Sequence, residues 1–107
     1  MTLAEIKAML DETGVYVGYG FVIDRPPPYI SYREAYSNNA FADNMVNAEV
    51  AHYDVELVTT KKDEALERKL KDVLNSYGIP WQKTSESVVE DDSTFSVIFE
   101  FEEVKNG

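Results

Sequence analysis

The stretch Glu49-Val50-Ala51-His52-Tyr53-Asp54-Val55-Glu56-Leu57-Val58-Thr59 alternates: Tyr53, Val55 and Leu57 fall on one side of an extended chain, Asp54 and Glu56 on the other. A period of two is what a half-buried strand requires. A few residues later the period changes. From Glu64 to Tyr77 the residues Leu66, Leu70, Val73, Leu74 and Tyr77 recur at i, i+4, i+7, i+8 and i+11, the apolar stripe of an amphipathic helix. Gly78 ends it and Pro80 prevents its resumption. A strand and a helix with one apolar face each bury them against one another, so the chain reads as a sheet covered by helices on one face.

The flanking sequence extends this frame. Downstream, Trp81 to Val89 reads as a strand, Glu90-Asp91-Asp92-Ser93 as a turn, and Thr94 to Val104 as a second strand burying Phe95, Val97, Phe99 and Phe101. Upstream, Tyr29 to Tyr36 alternates, with Ile30, Tyr32 and Tyr36 on one side and Ser31 and Arg33 on the other. Pro26-Pro27-Pro28 precedes it as a stiff spacer. Val15 to Ile23 is apolar and aromatic, a strand interrupted by Gly18 and Gly20. Thr2 and Glu5 form a capping box ahead of Leu3, Ile6 and Leu10, a short helix that lasts until Gly14. Between Ser37 and Asn47, through Phe41, Asp43 and Asn44, no period is evident, and a long flexible loop or arm is expected. The predicted fold is α+β in the order α-β-β-β-α-β-β, an antiparallel or mixed sheet with two helices, as one domain over residues 1–107.

Composition narrows the function classes. Ten basic against twenty acidic residues give a net charge of −10, which disfavours binding to phosphate backbones and anionic lipid. Half of that charge lies from Lys83 onward, where seven acids face two lysines. The absence of cysteine removes disulfides, thiolate catalysis and cysteine-ligated zinc. Neither a signal peptide nor a bilayer-spanning stretch is evident, so synthesis in the cytosol and no membrane partner are expected.

Few residues suggest catalysis. Gly14, Gly18 and Gly20 lack the helix N-terminus that a phosphate-binding fingerprint needs. His52, the sole histidine, shares a strand face with Asp54 as a base and its orienter would, but no nucleophile is spaced to suit them; it reads as a partly exposed strand histidine without a role. Glu90, Asp91 and Asp92 offer oxygens to a hard cation but lack the glycine and the distant bidentate acid of a calcium loop, and read as a solvated turn. No cofactor or metal is expected. The tyrosines have too few neighbouring cations for a nucleic-acid platform. Tyr29, Tyr32 and Tyr36, with Phe41, Asp43, Asn44 and Met45 of the arm, are the expected oligomer or partner interface.

The succession Pro27-Pro28-Tyr29-Ile30-Ser31-Tyr32, the Asp43-Asn44 loop, the strand Tyr53 to Thr59, the charged helix closing in Gly78-Ile79-Pro80-Trp81 and the strand Ser96 to Phe101 resembles the small tail-completion, or tail-terminator, proteins of long-tailed bacteriophages and prophages. The resemblance implies a non-enzymatic structural subunit of the virion. Such subunits, made in the bacterial host cytoplasm, form a ring, usually a hexamer, at the head-proximal end of the tail. The implied partners are other copies of the chain, the tail-tube protein and the head-tail connector, with DNA passing through unbound. An acidic lumen or rim, to which Glu90, Asp91 and Asp92 would belong, suits that passage, because a positive one would hold phosphates. Two rival readings are an acidic protein-binding module and a DNA mimic that inhibits a nucleic-acid-binding protein.

Overall fold

A computed structural model of the chain describes residues 1–42, 45–89 and 93–105. The first helix, α1 (Leu3–Asp11), opens as the capping box predicts: the Thr2 hydroxyl accepts from the Glu5 amide, and the Glu5 carboxylate accepts from the Thr2 amide. Asp63 caps α2 (Glu64–Ser76) by accepting from the Leu66 amide at 3.0 Å. Six strands accompany them among the described residues: β1 (Tyr16–Tyr19), β2 (Tyr29–Ser37), β3 (Ala40–Ala42), β4 (Met45–Thr59), β5 (Trp81–Val89) and β6 (Thr94–Lys105).

The main sheet runs β1-β2-β4-β6-β5, with β1 parallel to β2 and the other neighbours antiparallel. The fold is α+β with a mixed sheet, in the expected order with β3 added. Both helices contribute to one core. Ile6, Met9 and Leu10 of α1 and Leu70 and Leu74 of α2 meet Ile30, Tyr53, Val55, Leu57, Val97 and Phe99. Among these, Tyr53, Val55, Leu57, Val97 and Phe99 occupy the inward positions that alternation assigned them. His52, Asp54 and Glu56 therefore lie on the opposite, helix-free face.

Four expectations are corrected. The first strand ends at Tyr19, not Ile23: Gly20, at φ +76°, turns the chain out of the sheet and leaves Phe21 93% exposed. Because β1 and β2 are hydrogen-bonded neighbours, the three prolines lie in the return between adjacent strands and are not a spacer holding them apart. The helix stripe is displaced toward its N-terminal side: Glu67 is buried beside Leu70 and Leu74, while Tyr77 is 45% exposed and donates its hydroxyl to Glu12. Glu67 tolerates burial because Lys62 reaches it at 2.7 Å and links it to Glu86 at 2.6 Å.

The fourth concerns the arm. Ala40, Phe41 and Ala42 pair with Ala48, Val46 and Met45, so the described part of the segment read as a loop includes two paired strands of a β-ribbon. β4 runs 15 residues, about 50 Å at ~3.3 Å per residue, which accounts for the 50 × 28 × 23 Å extents of the molecule. Pairing with β6 stops at Glu49 opposite Lys105. Beyond that point β3 is the partner of β4 among the described residues, and no helix covers the pair.

Candidate functional site

Two surfaces carry residues that alternation alone does not explain. The first is the helix-free face of the sheet. There, His52 of β4 stands opposite Glu102 of β6, and Asp54 stands opposite Glu100. Like charges placed opposite one another on a sheet repel, and three carboxylates meet here with His52 among them. Its Nε2 contacts Glu100 and lies 3.6 Å from Asp54 Oδ1; its Nδ1 lies 3.4 Å from Glu102 Oε1. The second oxygen of Asp54 accepts from Arg33 of β2 at 3.3 Å. The His52 side chain is 9% exposed. Burial alone would push its pKa down, but hydrogen bonds to Glu100 and Glu102 and the charges of Glu100 and Asp54 outweigh it, and the net shift is upward. Glu100 is held below the usual carboxylate range by hydrogen bonds from Thr84 and then His52.

Tyr36 completes this arrangement. Regular alternation would have kept it with Ile30 and Tyr32 on the core side. A register shift between Glu34 and Tyr36 sets Tyr36 opposite His52 instead, a bulge that re-aims one side chain. Its ring stacks on the imidazole at 4.3 Å with the planes 10° apart. Glu56, farther along the same face, accepts from Ser96 at 2.5 Å and from Ser31.

The second surface is the ribbon. Phe41 and Val46 face each other across its two strands and therefore share a side, and Met45 follows on the other. Phe41 is 71% and Met45 72% exposed. Among the described residues no helix lies beneath them, and these side chains stand largely in solvent.

No protein family matches this chain, nor does any curated protein. Its residues therefore carry the functional argument. Of the expected interface, Tyr36, Phe41 and Met45 are exposed, and Tyr29 is half-buried beside Tyr16 and Val58. Tyr32 is a core residue: it is buried, its ring meets Tyr19 edge-on, and its hydroxyl donates to the Leu3 carbonyl at 3.3 Å. Asp43 and Asn44, and the acidic turn Glu90, Asp91 and Asp92, lie outside the described residues. His52, read as partly exposed and without a role, is buried at the centre of a charged cluster. The His52-Asp54 spacing was its one sequence signal; its partners on β6 lie some fifty residues away. No helix among the described residues is long and apolar enough to cross a membrane.

Proposed function

We propose that this chain is a structural subunit that joins copies of itself in a ring at the head-proximal end of a phage or prophage tail, the part played by the tail-completion proteins its sequence resembles. The observation that carries the reading is the projecting β3-β4 ribbon. An isolated two-stranded ribbon is marginal in water, and this one holds Phe41, Val46 and Met45 exposed beyond the sheet. A neighbour that covers them removes that apolar surface from water. A subunit that gives a ribbon and receives one elsewhere makes head-to-tail contacts, which close into a ring when the rotation allows. The carboxylates of the helix-free face, Asp54, Glu56, Glu100 and Glu102, suit a ring through which DNA slides without being held. Tail-tube protein on one side and the head connector on the other are the partners of this role, and its place is the virion.

Electron microscopy of the chain mixed with purified tail tubes tests the proposal. Capped tube ends and rings at high protein concentration support it; bare tube ends and monomers at every salt concentration overturn it. The same acidic face favours one second reading, a DNA mimic or acidic binding module. It requires a monomer whose binding to a basic protein weakens steeply with salt.

A further inference from the structure

We propose that His52, Asp54 and Glu100 form a binding site for a divalent transition-metal ion of the zinc class, independent of the assembly role. One donor atom from each lies within 4.8 Å of the other two. The 3.6 Å between His52 Nε2 and Asp54 Oδ1 is close to the ~3.4 Å edge of a tetrahedron built on metal bonds of about 2.1 Å, and the Glu100 carboxylate already touches Nε2.

What distinguishes this cluster from surface acids is how its donors are held. The imidazole is buried, Tyr36 stacks on its face, and Glu102 takes Nδ1 from behind. A carboxylate on Nδ1 favours the tautomer that presents the Nε2 lone pair to a metal, which would replace the hydrogen bond Nε2 makes with Glu100. Arg33 holds Oδ2 of Asp54 and leaves Oδ1 aimed at Nε2. The three donors come from two hydrogen-bonded strands, whose register sets the spacing. One imidazole with two carboxylates suits first-row dications better than calcium or magnesium. A surface hollow of about 330 Å³, bordered by Trp81, Gln82 and Thr84 beside His52 and Glu100, leaves water room to complete the coordination sphere.

The test uses the full chain without a polyhistidine tag, stripped with chelator, so that His52 is the sole imidazole. Zinc and manganese are titrated by calorimetry, and zinc again by NMR of the imidazole resonances. One saturable zinc site, tighter than that for manganese, supports the proposal when His52→Asn and Asp54→Asn each weaken it at least tenfold and Glu56→Gln does not. Glu102→Gln is expected to weaken it by about 10–100-fold through the orientation of the ring. Absent saturation, or zinc binding unchanged in both variants, overturns the proposal. Should the variants fail to fold, the wild-type imidazole decides: resonances that move with zinc support the site, and resonances that stay overturn it.

Discussion

Leu70→Ala is the sharpest probe of how the long helix sits on the sheet. Leu70 is fully buried in the shared core. Truncation removes three carbons, roughly 2.4 kcal/mol of transfer free energy at ~0.8 kcal/mol per group. A cavity of roughly 75 Å³ left unrelaxed adds about 1.8 kcal/mol at ~24 cal/mol per Å³. The expected loss lies between about 2.4 kcal/mol for a site that collapses and about 4 kcal/mol for one that does not. In a domain this size it lowers Tm by at least about 10 °C. Urea unfolding followed by Trp81 fluorescence measures it directly, since the indole donates to Asn75 of α2 at 2.8 Å and meets Phe99 of β6 edge-on. The midpoint should fall with the slope unchanged. Tyr77→Ala, on the same sequence stripe but exposed, should lose less than about 1 kcal/mol. Equal losses for the two variants, or a Leu70 loss below about 1 kcal/mol, would refute the helix register.

Three further outcomes are expected. Tyr32→Ala should destabilise by about 3–5 kcal/mol in chemical denaturation, as for other large core aromatics, while Tyr36→Ala should lose less than about 1.5 kcal/mol and shift the His52 ring resonances in NMR; similar losses would dismiss the bulge. Phe41→Ser combined with Met45→Ser should leave Tm within about 2 °C, since neither residue joins the core, yet suppress the concentration-dependent association that the proposed ring assembly predicts for the wild type in sedimentation velocity. Hydrogen bonds from Lys62 and Lys83 hold the folded Glu86 below its ordinary carboxylate value, so its contribution is present above about pH 4.5 and is lost as pH falls through the folded value. The Tm difference between wild type and Glu86→Gln should therefore shrink between about pH 5 and pH 3, and a difference that widens there would reverse the assigned sign.

The parts of the fold legible in the sequence are those whose periodicity records burial. Tyr53, Val55 and Leu57 alternate because one face of β4 packs under both helices, and Val97, Phe99 and Phe101 do so for the same reason. The ribbon gave no such signal, since a strand with nothing beneath it has no apolar face to repeat. Tyr36 was misplaced because one extra residue in β2 inverts every later assignment, and nothing local distinguishes that bulge from regular strand. Glu67 sits among apolar neighbours because its partners Lys62 and Lys83 lie outside the helix. Two of the three donors of the candidate metal site were readable, His52 and Asp54 sharing a face of one strand. The third, Glu100, depends on which strand pairs with β4 and in what register, a non-local choice set by the whole sheet.

The length of β4 has a mechanical consequence. One strand, β4, leads from the ribbon through the middle of the sheet to the turn before α2, flanked there by β2 and β6. A pull on the ribbon along its own axis loads the hydrogen bonds to both flanking strands sideways and together, because those bonds stand perpendicular to the strand. Peeling them one at a time would require a force across the sheet, a direction in which a projecting ribbon offers a poor handle. If the ribbon is gripped by a neighbour, tension between subunits passes straight into the best-anchored strand of the domain. The joint is then built to resist being drawn out lengthwise.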